Sequence, residues 1–276
     1  MSTKVFLFNM SRNFLHYFLL KRGRYLVSAT SPQKISSLAK KLYPFAIDIP
    51  LIRLGPNGDG GYLVPDDLSG IEAVFSPGVA TVSEFELDCL KRGMKVFMAD
   101  KSVEKPNLDI PETEYSFIKK FVGCVNNEEY ITMDEWVNTS GVKTDSDLLL
   151  QMDIEGGEFF TLLDTSSNLM NRFRIMVLEL HFIFKDNSLW DSSFFNLVEN
   201  TLDKILQTHA VVHSHVNNYF GKVECKCGVE VPQLLEITFL RKDRTTFEKY
   251  QTDFPHELDF DNTSNPTTIL PKQWHY

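Results

Sequence analysis

The stretch LLLQMDIEGGEFFTLLD, residues 148–164, joins an apolar strand pattern to an amphipathic helix pattern. The apolar run stops at Asp153, and Glu155 and Glu158 follow around the glycine pair Gly156–Gly157. Glu158 lies where a first-turn acid favours the start of a helix, but a hydrophobic core has no need of Asp153 at the end of a strand. Because ligands bind beyond the carboxyl ends of strands in open α/β sheets, the stretch predicts a functional site.

The composition is that of an ordinary globular chain. The chain has 276 residues, of which 43% are hydrophobic and 24% are charged, enough for one large α/β domain or two small ones. Its net charge of -9 argues against a nucleic-acid partner. The 4 cysteines are too scattered for a disulfide framework and lack zinc spacing, so we expect reduced cysteines and a cytoplasmic protein.

The first part of the chain, residues 1–30, is an apolar and basic segment. Polar residues interrupt KVFLFNMSRNFLHYFLLKRGRYLV, residues 4–27, before it reaches the roughly 18–20 apolar residues of a membrane-spanning helix. The segment also lacks the cleavage site of a signal peptide. Two interpretations are open: a helix packed on the domain, which we favour, and a basic, aromatic helix on a membrane surface or a partner, which would make the protein membrane-peripheral.

Strand and helix patterns alternate from Ile71 onward. The predicted strands are IEAVFS, KVFMAD, YSFIKKFVG, LLLQMD, RIMVLEL, AVVHSHV and QLLEITFLR. The predicted helices are residues 31–42, SEFELDCLKRG with a capping box of Ser83 and Glu86, GEFFTLLDTSSNLM and SFFNLVENTLDKILQ. The alternation predicts βαβ units in one sheet, within a domain over 31–245. Residues 246–276 are polar and acidic, and we expect a peripheral tail there.

Two further strand ends favour a nucleoside ligand. Gly78 follows IEAVFS in a turn that leads into a helix, whose free N–H groups can bind a polar or anionic group. Asp100 ends KVFMAD, where a carboxylate can accept both hydroxyls of a ribose. The turn lacks G-x-G-x-x-G and a P-loop lysine, which disfavours a dinucleotide and suits S-adenosylmethionine, a nucleoside without phosphate.

Later strands add a candidate base. Glu179 and His181 lie two residues apart, on one face of the strand that ends RIMVLELH. Beside Asp153 on a neighbouring strand, His181 is a candidate general base. Asp153, Glu179 and His181 are alternatively a divalent-metal set, which we hold as the minority hypothesis. Candidate acceptor-binding residues elsewhere are Asp59, Tyr62, His215, Asn217 and Asn218.

The segment LLLQMDIEGGEFFTLL resembles the D-x-E-G-x-E signature of FkbM-domain methyltransferases. Other stretches are also similar to part of that family, over roughly residues 50–242: RLGPNGDGGYLV, FSPGV...SEFE, KVFMAD and HVNNYFG...VPQLLEITFLRK. The resemblance implies a class I methyltransferase, with a Rossmann-like, seven-stranded, mostly parallel sheet and helices on both faces. It also implies S-adenosylmethionine as cofactor and O-methylation of a saccharide or other small hydroxylated acceptor.

The resemblance assigns roles to individual residues by their positions in the matching motifs. It places Ser76, Gly78 and Val79 at the methionine end of the cofactor, Asp100 at the ribose, and Asp153 and Glu155 at the transfer site. Lys101 and Asp153 complete the candidate cofactor-binding residues, and the catalytic candidates are His181 as base, Asp153, Glu155 and Glu179. Two other classes stay open: an inactive cofactor-binding interaction module and, less favoured, a nucleotide-dependent oxidoreductase.

Overall fold

The computed structural model describes residues 14–24, 26–79, 82–184, 187–224 and 228–276. A seven-stranded, mostly parallel sheet lies at its centre, with helices packed on it. The strands of this sheet are β1 (Ile71–Pro77), β2 (Lys95–Ala99), β3 (Ser116–Ile118), β4 (Asp147–Met152), β5 (Phe173–His181), β6 (His209–Val216) and β7 (Leu234–Arg241). The predicted α/β class is therefore confirmed.

The strand order across the sheet is β3-β2-β1-β4-β5-β7-β6. Strand β7 is antiparallel to its neighbours β5 and β6, and the pairs from β5 to β3 are all parallel. The chain changes direction across the sheet between β1 and β4, which is the kind of switch point where open α/β sheets bind ligands.

Helices and short ribbons surround the sheet. The helices are α1 (Pro32–Lys41), α2 (Glu84–Lys91), α3 (Met133–Thr139), α4 (Glu158–Asp164), α5 (Ser167–Met170) and α6 (Ser192–Thr208), with 3-10 turns at Glu112–Glu114 and Lys272–Trp274. Residues 14–20 are helical as well. Two-stranded ribbons pair Phe45–Ala46 with Lys249–Tyr250, Leu51–Leu54 with Tyr62–Pro65, Phe121–Gly123 with Tyr130–Thr132, Ile183–Phe184 with Asn187–Ser188, and Lys222–Glu224 with Glu230–Pro232.

Apolar side chains fill both faces of the sheet. Phe75 of β1 belongs to one core together with Trp136 of α3 and Phe159 of α4. The preceding residue, Val74, belongs to the other core with Phe85 of α2. Because each large apolar side chain contributes roughly 1.5–3 kcal/mol when fully buried, the two cores hold the strand ends in place.

Helix α2 begins without the predicted capping box. The Ser83 side chain makes no cap hydrogen bond, and the Glu86 carboxyl instead contacts the buried hydroxyl of Ser76. The capping-box prediction is therefore wrong. Tertiary packing directs the Glu86 carboxyl to Ser76 of β1, while the Ser83 N–H donates to the Glu84 carboxylate at 3.2 Å instead.

Two predicted elements are each split in two. The pattern YSFIKKFVG forms β3 and a separate strand, Phe121–Gly123, because Lys120 N–H turns back to the Ile118 carbonyl at 2.9 Å. The pattern GEFFTLLDTSSNLM forms α4 and α5, because Ser166 Oγ accepts the Leu169 N–H at 3.2 Å and starts a new helix. Local hydrogen bonds of this kind interrupt an otherwise continuous apolar pattern.

The C-terminal segment packs into the domain. Trp274 is 1% exposed, stacks against Phe182 with ring centroids 5.2 Å apart, and donates its Nε1–H to the Glu230 carbonyl at 2.9 Å. Farther upstream, Asp259 Oδ1 lies 2.9 Å from His213 Nε2 on β6. The segment expected to be a peripheral tail is thus held on the domain by isolated anchors, which leave no periodic sequence signal.

Candidate functional site

Two cavities open at the edge where the carboxyl ends of the parallel strands meet, and both include Asp59 and Asp153. The glycine-turn cavity has a volume of about 70 Å³, and its lining includes Asp59, Tyr62, Gly78, Val79, Glu86 and Asp153. The histidine cavity has a volume of about 440 Å³, and its lining includes Asp59, Asp153, Glu155, Glu179, His181 and Asn217. The two predicted sites are therefore neighbours that meet at the end of β4.

Gly78 determines how closely β1 approaches β4. It has a φ of +87°, and a Cβ at this position would lie 1.6 Å from the Asp153 carbonyl oxygen. The Gly78 N–H donates to Ala99 O at 2.9 Å, while the Asp153 N–H donates to Pro77 O at 3.3 Å. Only glycine can occupy this position, because its left-handed backbone and the close approach both exclude a side chain. The turn thereby brings Asp153 close to the end of β2, which precedes Asp100.

Asp100 has a fixed orientation at the end of β2. It is buried, and its Oδ1 accepts the N–H and the hydroxyl of Ser102 at 2.7 and 2.6 Å. The next residue, Lys101, forms an ion pair with Glu129, an exposed acid. The structure therefore positions Asp100 rigidly and directs Lys101 to a surface partner.

A buried polar chain lies beneath the glycine-turn cavity. Ser76 Oγ lies 2.7 Å from Gln151 Oε1 and also contacts Glu86, while Gln151 Nε2 lies 3.4 Å from the Tyr62 hydroxyl. Burial raises the pKa of Glu86 to about 7, although the hydrogen bond with Ser76 opposes the rise. Because Ser76 has one hydroxyl proton, a protonated Glu86 can donate to Ser76 while Ser76 donates to Gln151. Sequence reasoning missed Glu86 and Gln151, since their partners lie on other elements.

Asp153 lies between the two cavities. Burial raises the pKa of Asp153 to about 7, the charges of Glu158, Glu155 and Asp59 add to the rise, and His181 opposes it. Its Oδ1 is buried and has no hydrogen-bond partner in the described part of the chain. Leaving a buried acceptor unsatisfied costs roughly 1–3 kcal/mol, so this oxygen is suited to a ligand with a donor or a positive charge.

His181 ends β5 with its imidazole almost fully buried. Its Nδ1 lies 3.1 Å from Glu158 Oε1, and its Nε2 lies 3.8 Å from both Glu155 Oε2 and Glu179 Oε1. Burial lowers the pKa of His181, but Glu158, Asp153 and Glu155 outweigh it, so the pKa lies above its usual value. One ring nitrogen faces a buried acid and the other faces the histidine cavity, which is the arrangement of an oriented general base.

Glu158 does more than favour the start of helix α4, the role that its place in the sequence predicted. It is fully buried, and its Oε1 accepts the N–H groups of Ile154 at 3.1 Å and Gly156 at 3.0 Å. The same oxygen faces His181 Nδ1. Glu158 therefore closes the turn after β4 and orients the histidine, a role that sequence reasoning missed because the two residues belong to different elements.

The turn that Glu158 closes has an unusual backbone at Glu155. Glu155 has a φ of 56°, and no other non-glycine residue in the described ranges has a positive φ. A left-handed conformation costs a residue with a Cβ roughly 1–2 kcal/mol. The Glu155 side chain is 68% exposed and lines the histidine cavity. Strain of this kind is typical of a functional turn that directs a side chain into a site.

A row of ionisable side chains crosses the sheet behind the histidine cavity. Glu179 of β5 pairs in register with Glu236 of β7, which pairs in register with His215 of β6. Burial raises the pKa of Glu179 well above its usual value, with Asp153 and Glu236 adding to it, and burial raises the pKa of Glu236 to about 7 against the effect of His215. Asn217 donates to Glu179 Oε2 at 3.3 Å. The raised pKa values favour the protonated forms of these carboxyl groups, which can donate as well as accept hydrogen bonds.

Two of the predicted acceptor-binding residues contact the C-terminal segment. His215 Nδ1 lies 3.6 Å from Asp259 Oδ2, and Asn218 donates its amide N–H groups to the carbonyls of Thr263 and Asn265 at 3.1 and 2.8 Å. These contacts hold the segment beside β6, where Thr263 lines the histidine cavity. The remaining predicted acceptor-binding residues line the cavities: Asp59, Tyr62 and Asn217.

The three side chains of the predicted metal site also lie close together. Asp153, Glu179 and His181 each offer one ligand atom, and these atoms lie within 4.8 Å of one another. Two carboxylates and an imidazole are donors suited to Mn²⁺ or Zn²⁺. A metal would bind the same side chain that the base hypothesis requires, so the metal-ligand and general-base roles of the His181 Nε2 exclude each other.

No protein-family model matches the chain, and no curated protein matches it. The function is therefore argued from the chemistry of the site, because one fold supports many unrelated activities.

Proposed function

We propose that the protein is an S-adenosylmethionine-dependent O-methyltransferase that acts on a hydroxyl of a saccharide or a similar small polyol. The observation that supports this most strongly is the pair of cavities that meet at Asp153, one beside the Gly78 turn and the other beside His181. Group transfer needs two reactants held in contact and in line. The glycine-turn cavity, at about 70 Å³, has room only for part of a cofactor such as its sulfonium end, and it lies next to the larger acceptor cavity.

The topology of the sheet supports the same proposal. Its order, with antiparallel β7 inserted between β5 and β6, is compatible with the Rossmann-like fold that the D-x-E-G-x-E resemblance implies. In this arrangement, the Gly78 turn and Asp100 follow the adjacent strands β1 and β2 at the switch-point edge.

The side chains around the glycine-turn cavity fit a cationic nucleoside. Three carboxyl groups line it, those of Asp59, Glu86 and Asp153, and Asp153 Oδ1 is unpartnered in the described part of the chain. Carboxyl groups repel a pyrophosphate and attract an ammonium or a sulfonium group. Asp100, which follows the adjacent strand β2, would accept the ribose hydroxyls. S-adenosylmethionine, when bound, supplies an electrophilic methyl group on a positively charged sulfur.

The histidine cavity suits an uncharged acceptor with several hydroxyls. Its lining includes the acids Asp59, Glu155 and Glu179, the amide of Asn217, and the aromatic rings of Phe184, Tyr219 and Phe220. Carboxyl and amide groups hydrogen-bond hydroxyls, and aromatic rings cover the apolar faces of a sugar. Acidic side chains would repel a phosphorylated acceptor. The volume of about 440 Å³ lies within the range of small-ligand sites.

The proposed transfer has a defined path for its proton. An alcohol has a pKa far above neutral, so His181 Nε2 takes the hydroxyl proton as the oxygen attacks the methyl carbon. With S-adenosylmethionine bound, the cofactor would supply the methyl group that replaces the hydroxyl proton, and His181 would hold that proton as an imidazolium. Glu158 stabilises the imidazolium, while Asp153 and Glu155 orient the hydroxyl. His181 then releases the proton to water, which restores the base.

The His181→Ala substitution tests this assignment. S-adenosylmethionine affinity, measured by calorimetry, should stay near the wild-type value, because His181 contacts the other cavity. Methyl transfer from labelled cofactor to a panel of neutral saccharides should fall by on the order of 10²–10⁴-fold. The matched control is His275→Ala, near the C-terminus, which should retain full turnover.

Other outcomes separate the alternatives. Cofactor binding without turnover on any acceptor would favour an inactive binding module, and absence of cofactor binding would contradict the methyltransferase proposal as a whole. If EDTA abolishes activity and Mg²⁺ or Mn²⁺ restores it, the metal-site hypothesis for Asp153, Glu179 and His181 replaces the general-base hypothesis. If His181→Ala turns over at the wild-type rate and EDTA does not change the activity, both the general-base and the metal-site hypotheses are contradicted.

A further inference from the structure

The helix at residues 14–20 exposes its apolar side chains. Six of its seven residues are apolar, and three of the most exposed are Phe14 at 74%, Tyr17 at 59% and Leu20 at 55%. The sequence pattern favoured a helix packed on the domain, whereas these side chains face solvent. A helix that is apolar around most of its circumference needs another surface to cover it.

Basic residues follow the helix directly. Lys21, Arg22 and Arg24 are all exposed, in a chain whose net charge is -9. Lys21 Nζ lies 4.7 Å from the centre of the Tyr17 ring, and the Arg22 guanidinium lies 3.7 Å from that of Phe18. Aromatic and basic groups therefore form one surface, and its charge is complementary to anionic lipid headgroups.

The segment leaves the domain near the histidine cavity. Ser192 N–H donates to Ser28 O at 3.0 Å, and Thr30 N–H donates to Trp190 O at 2.9 Å. These bonds lie at the start of α6, a few residues after Phe184, which lines the cavity. A surface bound by the segment would therefore lie on the same edge of the sheet as the cavity.

We propose that residues 14–24, the N-terminal anchor, bind the surface of a membrane that contains anionic phospholipids. The basic residues contact the headgroups, and the aromatic and leucine side chains insert at the boundary with the acyl chains. None of the helices in the described ranges has the length and apolar content needed to cross a membrane. This inference is independent of the proposed catalytic function.

Vesicle sedimentation of the full-length chain tests the proposal. The protein should sediment with phosphatidylcholine vesicles that contain about one-third phosphatidylserine, and much less with phosphatidylcholine alone. High salt should weaken the binding, because the headgroup attraction is screened. The variant Lys21→Glu, Arg22→Glu, Arg24→Glu should lower partitioning on the order of 100-fold, since each basic residue contributes about fivefold.

Apolar substitutions provide the matched comparison. The variant Tyr17→Ser, Phe18→Ser should lose most binding to the anionic vesicles. The control variant Ile269→Ser, Tyr276→Ser changes side chains that are 56% and 74% exposed at the other end of the chain, and should bind as wild type. Thermal melting of all variants checks that the fold is retained, which is expected because the substituted side chains are exposed.

Several results would overturn the proposal. One is the absence of binding to either vesicle, and another is binding that charge reversal leaves unchanged. Equal loss in the control variant would also overturn it. A last such result would be self-association or a stable protein complex that the anchor substitutions abolish, with no binding to vesicles. The helix would then cover a protein surface and not a membrane.

Discussion

His181 Nδ1 lies 3.1 Å from Glu158 Oε1, and both side chains are almost completely buried. The contact joins the end of β5 to the turn that follows β4. A buried negative charge beside an imidazole favours its protonated form. This relationship gives His181 the property that a proton acceptor needs, because the charge formed on the ring is already compensated.

The Glu158→Gln substitution should slow turnover without abolishing it. Glutamine keeps an oxygen that can accept the N–H groups of Ile154 and Gly156, but it removes the charge beside His181. We expect a loss on the order of 10–100-fold, less than that from losing the base itself. Because Glu158 raises the pKa of His181, the rising limb of kcat against pH should move to lower pH in the variant. A pH–rate profile measures this shift.

The control for that experiment is Glu135→Gln, an exposed acid in the first turn of α3. It should change neither the rate nor the profile. If the rising limb of kcat against pH stays at the wild-type position in Glu158→Gln, Glu158 does not act through His181.

The Asp100→Ala substitution should weaken the binding of S-adenosylmethionine. Each charge-assisted hydrogen bond lost is worth about 1.5–3 kcal/mol, which is more than tenfold in affinity. Calorimetry measures the affinity, and a melting curve accounts for the lost Ser102 contacts. As a control, Lys119→Ala removes an exposed ion pair of small energy with Glu104 and should leave the affinity within a few-fold of wild type. Wild-type affinity in Asp100→Ala would reject the ribose assignment.

The Glu155→Gly substitution should separate stability from activity. Glycine accepts a φ of 56° without the roughly 1–2 kcal/mol of left-handed strain, although it adds entropy to the unfolded chain. We therefore expect a free energy of unfolding equal to wild type or higher by up to about 1 kcal/mol, with reduced turnover because the carboxylate is lost. Urea unfolding and a methyl-transfer assay measure the two quantities. Glu155→Gln keeps the strain and should give no such gain, so an equal gain in both variants would contradict the strain argument.

Glu86 should make the protein less stable as the pH rises. Its folded pKa is about 7, against an ordinary value of 4.5, because burial disfavours the charged form. A raised folded pKa means that this contribution is fully present below the unfolded pKa and is lost as the pH rises through the folded pKa. The contribution corresponds to roughly 3 kcal/mol as an upper estimate. Glu86→Gln stays neutral, so its free energy of unfolding should fall less than that of wild type between about pH 5 and about pH 8.

Urea unfolding at the two pH values measures the difference for wild type and variant. Glu112→Gln, an exposed acid in a 3-10 turn, is the matched control and should follow the wild-type pH dependence. Identical pH dependence in wild type and Glu86→Gln would show that the buried carboxyl titrates normally.

Local sequence patterns were sufficient to locate the seven strands of the central sheet, although YSFIKKFVG and GEFFTLLDTSSNLM each formed two elements. Apolar runs that stop at Asp100, Asp153 and His181 predicted where polar side chains would leave the sheet, and these positions lie on one edge of it. This works because hydrophobic periodicity and the length of an apolar run are local properties. These local patterns alone predicted the confirmed strands and the long helix α6.

The tertiary structure decided which polar groups became partners. Glu86 contacts Ser76 rather than capping its own helix, Glu158 faces His181, and Glu236 lies between Glu179 and His215 only because β7 is inserted between β5 and β6. The C-terminal segment packs through single anchors such as Trp274, which have no sequence period. The physical reason is that a buried polar group must pair with whatever the neighbouring strands present, and strand order is a property of the whole chain.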